Sequence, residues 1–96
     1  MFVVNLTYTA PLARIDACLE AHRAFLAEQY ARGVFLMSGR KEPRDGGIII
    51  AHAASRAELE SVLRDDPFHQ ADVARYDITE FVPTMTAEAL AAYRAG

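Results

Sequence analysis

Three features of this chain predict a single α+β domain with the element order β-α-β-β-α-β. Four runs of β-branched and aromatic residues read as strands, and two amphipathic segments of helical period separate the first from the second and the third from the fourth. The whole is 96 residues long, which suits one domain with a thin core rather than two.

The first run, Phe2 to Thr9, is β-branched and aromatic with partial alternation, and Pro11 stops it. From Pro11 to Arg32 the period changes. Ile15, Leu19, His22, Phe25, Leu26 and Tyr30 recur at steps of three and four, one face of a helix, and Gly33 stands where a terminating glycine belongs. Val34 to Ser38 is the second strand. The polar, turn-rich stretch Gly39 to Gly47 reads as a hairpin connection. Gly47 to Ala53 is the third strand, its triple isoleucine pointing to burial on both faces.

Ser55 is placed as an N-cap, with Glu58 three residues on to complete a capping box, and Leu59, Val62 and Leu63 form the inward face of the second helix. Asp66-Pro67 ends that pattern, because the residue before a proline is pushed out of the helical region. A further helical turn through about Asp72 leads to the fourth strand, Val73 to Val82, closed by Pro83. The alanine-rich stretch Thr86 to Arg94 predicts a short C-terminal helix. The chain thus reads as one domain over 1–96, with a core over 1–83 and a tail helix within 84–96. Two right-handed β-α-β units joined by a hairpin give the ferredoxin-like arrangement, a four-stranded antiparallel sheet with both helices on one face. Apolar residues on both sides of strands two and three then predict a homodimer through the bare sheet faces, a tail helix over that face being the alternative.

Composition narrows the partners. The net charge is −3 and the ten basic residues are scattered, which argues against nucleic acid. No apolar run approaches the roughly 20 residues that cross a membrane, and the N-terminal segment lacks the basic start of a signal peptide. Cys18 is the only cysteine, so neither a disulfide nor a cysteine metal cage is expected. The three histidines show no HxH or HExxH spacing, and no metal site is expected from them. The expected location is cytoplasmic.

His22 stands out, because it occupies an apolar stripe between Leu19 and Leu26 where an imidazole must find a hydrogen bond. One role is a core histidine satisfied by a carbonyl. The other is a general acid/base, for which Asp66 is the natural carboxylate partner. Asp66 has a second role open to it as a turn residue capping the amides of Phe68 or His69. Arg44, in the loop Glu42 to Gly47, is placed to clamp an anionic group, or is a solvated charge; Ser38 is a candidate donor to a ligand, or a local hydrogen bonder. Phe68 and Tyr8 are candidate pocket residues. Cys18, one turn before His22, fits a small buried thiol better than a nucleophile.

The segments Leu19 to Leu26, Leu36 to Gly39, Glu42 to Gly47, Asp66 to Phe68 and Tyr76 to Phe81, in that order, resemble the YCII-related family over residues 1 to about 83. The resemblance implies a ferredoxin-like dimeric α+β barrel with a His-Asp pair as active site, at His22 and Asp66. Some members carry Arg where this chain has Leu19, and Pro where it has Arg40, which implies a different substrate here. A protein resembling this family removes chloride from a chlorinated hydroxyquinol. The expected function is a small-molecule enzyme without a cofactor, using His22 and Asp66 in an elimination, isomerisation or hydrolysis. Two alternatives stand beside it: a non-catalytic metabolite-binding or accessory dimer, and a cofactor-independent monooxygenase or lactone isomerase.

Overall fold

Local sequence decides where the strands start and stop, and the computed structural model, which describes residues 1–95, assembles them into one sheet. Strands β1 (Phe2–Tyr8), β2 (Phe35–Arg40), β3 (Gly46–Ala51) and β4 (Ala74–Glu80) pair antiparallel in the spatial order β2-β3-β1-β4. Helix α1 (Leu12–Ala31) joins β1 to β2, while α2 (Arg56–Leu63) and the single turn α3 (Pro67–Gln70) join β3 to β4. This is the predicted ferredoxin-like connectivity.

Alternation along β1 sets the two faces of the sheet. Phe2, Val4 and Leu6 are buried, and their register partners Ala51 and Ile49 on β3 share that face. Ile15 and Phe25 of α1 and Leu59, Val62 and Leu63 of α2 join the same buried cluster, so the helices cover one side of the sheet. The opposite side carries Val3, Ile50 and Met37 in one cross-strand row, with Thr79 at its end. Asn5, Thr7 and Asp77 occupy the same side, and Lys41 lies across it to reach Asn5 Oδ1 at 2.9 Å. That face is therefore apolar along one row and polar along the next.

Two backbone details shape the β2–β3 hairpin. The register shifts between Phe35 and Met37, so Phe35 faces Ala51, Met37 faces Ile50 and Ser38 faces Ile49. This bulge adds one residue to β2 and turns Ser38 and Arg40 to the helix-covered face; strict alternation from Phe35 would put them on the other one. The β2–β3 loop is then closed by Lys41 N–H donating to Gly46 O at 2.9 Å and pinned to the end of β1 by Tyr8 N–H donating to Asp45 O at 2.8 Å. Gly46 permits that close approach, since a Cβ there would lie 1.8 Å from the carbonyl oxygen of Leu6.

The expected elements hold with shifted edges. β2 extends two residues beyond Ser38 to Arg40, so the loop is shorter than read, and β4 ends at Glu80 rather than Val82. Gly33 ends α1 at φ +74° as a terminating glycine does. Near that end Gln29 is buried, its side-chain oxygen accepting from Arg32 Nη1 at 2.9 Å, whereas Tyr30 lies at the surface, so the core stripe turns away from Tyr30. Ser55 Oγ accepts from the Glu58 amide at 3.1 Å as the N-cap of α2. The tail forms a 3₁₀ helix over Glu88–Tyr93 rather than an α-helix, and Tyr93 packs edge-on against His52 at 5.5 Å, beyond the end of β3. No helix among the described residues is long and apolar enough to cross a membrane.

Candidate active site

The site begins with Asp66. Asp66 follows the end of α2 and caps α3: its Oδ1 accepts from the Phe68 amide at 2.9 Å, and Pro67 takes the first helical position, where no amide hydrogen is needed. The capping role expected of an Asp-Pro pair is thus real. It is also only part of what the side chain does, because the same Oδ1 lies 2.8 Å from His22 Nδ1 and Oδ2 accepts from the Tyr76 hydroxyl at 2.7 Å. The carboxylate is fully buried, and such burial is tolerable only with its lone pairs engaged.

These bonds determine the tautomer of His22. Asp66 already accepts an amide hydrogen and a phenolic hydrogen, so it acts as a carboxylate toward the imidazole, and Nδ1 is the donor. Nε2 then carries the lone pair of the neutral ring. Among the described residues no buried side-chain nitrogen or oxygen lacks a hydrogen-bond partner. Nε2 has no hydrogen-bond partner among the described residues, so it is the atom solvent can reach. Phe68 stacks on the ring at 3.8 Å between centroids and 6° between planes, which covers one face of the imidazole and fixes its plane.

Tyr76 completes the support. Burial, and then the charge and hydrogen bond of Asp66, push the phenol well above its ordinary value, so it stays a donor to Asp66. It belongs to β4, whose register with β1 places it opposite Leu6 on the helix-covered face.

His22 opens onto a cavity of about 410 Å³ between α1, the sheet and the β2–β3 loop. Leu19, His22, Arg23 and Leu26 line it at the spacing i, i+3, i+4, i+7, a stripe beside the one that enters the core. Ser38 and Arg40 reach it through the β2 bulge, and Tyr8 and Phe68 form another wall, edge to face with centroids 6.0 Å apart. Arg44 comes in from the loop pinned to Tyr8 and bonds Asp16 Oδ1 at 2.5 Å; that hydrogen bond raises its guanidinium above an already high ordinary value.

Of the residues singled out in the sequence, Tyr8, His22, Ser38, Arg44 and Phe68 all line this cavity, and Asp66 lies behind His22. Ser38 is already engaged, its hydroxyl bonded to that of Tyr30. Cys18 packs against the core and is not part of the cavity wall. His52 lies against Tyr93 and His69 against Tyr76, and neither lines the cavity. No group of three His, Cys, Asp or Glu side chains comes together among the described residues. Sequence reading missed Arg23, Arg40 and Tyr76. Arg23 was signalled by its spacing from Leu19 and Leu26, whereas Arg40 depends on a bulge and Tyr76 on strand register, neither of which has a local signature here.

Comparison with known proteins gives a family and a likeness of fold. The family model of the YCII-related domain matches residues 1–82. Among solved structures, 5-chloro-2-hydroxyhydroquinone dehydrochlorinase (TftG) from Burkholderia phenoliruptrix AC1100, in complex with 2,5-dihydroxybenzoquinone, superposes with a TM-score of 0.67. It is 22% identical, over 84% of this chain and 93% of that one, a likeness of fold. No curated protein is significantly similar in sequence to this chain.

Proposed function

Because the chain belongs to the YCII-related domain family, we propose that it is a small-molecule enzyme in which His22 moves a proton at Nε2 and Asp66 orients the ring and balances its charge. The observation that carries this reading is the 2.8 Å contact from Nδ1 to a fully buried carboxylate, with the other ring nitrogen facing a cavity of about 410 Å³. A core histidine satisfied on one side has no reason to leave the other nitrogen on such a space. General acid/base assistance is worth roughly 10²–10⁴-fold, so the substrate is an activated one, in which a proton leaves or joins a carbon or oxygen already stabilised by a ring or carbonyl. Elimination, isomerisation and assisted hydrolysis all share that step. The neighbouring structure's protein is named for removing chloride from a substituted hydroquinone, which supports an activated ring as the first substrate to try.

The working unit of this reading is a homodimer, supported by the helix-free row of Val3, Ile50 and Met37, of which Met37 is 55% exposed. The lone free Cys18 fits a cytoplasmic setting.

The test is a panel of halogenated hydroquinones, enol lactones and activated esters assayed with the wild-type chain and with His22→Asn. Turnover that falls at least a hundredfold in a variant with unchanged fold supports the assignment. Turnover indifferent to His22 refutes it. Binding of panel members without any turnover would favour the metabolite-binding alternative.

A further inference from the structure

The cavity has a charge that the protein as a whole does not. The chain carries a net −3, yet the cavity wall contains three arginines, Arg23, Arg40 and Arg44, and a single carboxylate, Asp16. Arg44 is neutralised by Asp16 at 2.5 Å. Arg40 reaches Glu42 at 3.2 Å, but both side chains are at least 70% exposed, a pair readily exchanged for another anion. Arg23 alone of the three forms no ion pair or side-chain hydrogen bond among the described residues. It sits one residue after His22, on the helix face that lines the cavity. The remaining nearby charge, Asp66, is shielded behind the imidazole and shared among the amide of Phe68, the hydroxyl of Tyr76 and His22 Nδ1. A cleft with low-dielectric walls focuses such a local positive excess.

Resting on the proton-transfer reading above, we infer that the substrate class is a small planar organic anion, its carboxylate or phenolate paired with Arg23 and its reacting atom beside His22 Nε2. Arg40 stands on the opposite wall as a second partner, exchanging Glu42 for the ligand. The apolar walls, Leu19, Leu26 and Phe68, take the ring. A volume near the lower end of small-molecule sites, which run roughly 300–1,000 Å³, suits one ring with its substituents. Arginine fits this task because its planar fork meets a carboxylate with two parallel hydrogen bonds.

The experiment compares 2,5-dihydroxybenzoate with its neutral amide, 2,5-dihydroxybenzamide, by amide-resolved NMR titration of the full chain, Arg23→Gln and His22→Asn. The expected result is that the benzoate perturbs Arg23, Leu26, Ser38 and Phe68 and binds about tenfold more tightly than the amide, in line with one charge-assisted contact. Raising the salt narrows that gap. Arg23→Gln closes it, and His22→Asn leaves it open, because His22 acts on the bound molecule rather than holding its charge. Equal affinity for the two probes, no binding of the benzoate up to its solubility limit, or a gap that survives Arg23→Gln overturns the anion site. The two readings fail separately: charge discrimination that persists while turnover ignores His22 supports the anion site and refutes the acid/base one, and the reverse pattern refutes the anion site alone.

Discussion

His22 Nδ1 and Asp66 Oδ1 lie 2.8 Å apart although 44 residues separate them in the chain, and the same carboxylate oxygen caps the turn that brings Phe68 flat against the imidazole. Orientation of the ring, its tautomer and its stacking partner are thus all set from one side chain. Asp66→Asn keeps the shape and removes the charge, and its amide nitrogen turns a donor toward groups that are themselves donors. The expected cost is about 1.5–3 kcal/mol of stability, the usual worth of hydrogen bonds to a charged group. In ¹⁵N NMR spectra of the ring the wild-type protein should show the proton on Nδ1, and the variant should lose that preference. A mixed tautomer in the wild type would count against the dyad.

Tyr76→Phe removes the hydrogen bond to Asp66 Oδ2 without opening space. Leaving that buried oxygen short of a donor costs about 1–3 kcal/mol near neutral pH. The variant should also change the alkaline limb of stability. The phenol is raised in the folded state, so its contribution is present below the ordinary tyrosine value of about 10 and is lost as pH rises beyond it, where the unfolded chain releases the proton first. Urea midpoints measured between pH 8 and 11 should therefore fall more steeply for the wild type than for Tyr76→Phe. Parallel curves would show that the phenol does not carry this linkage.

Gly46→Ala is expected to prevent folding or to unzip the end of the β1–β3 ladder, since the added methyl would meet the backbone of Leu6 at 1.8 Å and no side-chain movement relieves it. Gly33→Ala is a contrasting control, in open space at φ +74°, with a cost of about 1–2 kcal/mol. Thermal melts of the two variants should differ clearly. Similar melting temperatures would mean that the sheet relaxes at Gly46 far more readily than its geometry allows.

Met37→Glu tests the dimer. Met37 is exposed in the single chain, where a surface change shifts stability by only about 0.5 kcal/mol. If the row formed with Ile50 and Val3 meets its copy, the added charge should halve the mass seen by sedimentation while the far-UV spectrum stays the same. A wild-type chain that already sediments as a monomer of 10.6 kDa ends the dimer proposal.

Much of this protein is local and so was determined by the sequence alone. Period-two and period-3.6 patterns placed four strands and two principal helices, Ser55 and Gly33 marked helix ends, and Pro67 marked the break that makes Asp66 a cap. His22 was conspicuous because an imidazole in an apolar stripe needs a partner, and Asp66 was the residue offered. Only the tertiary structure decided that the two touch, because contact across 44 residues depends on the packing of α1 against α3. It also decided which residues join them. Tyr76 is brought in by the β1–β4 register, while Ser38 and Arg40 are brought in by one extra residue in β2 that reverses which way the rest of the strand points. Register and bulges are cooperative properties of paired strands, set by the partner's hydrogen bonds as much as by the strand's own residues, and for that reason they could not be read from a single segment.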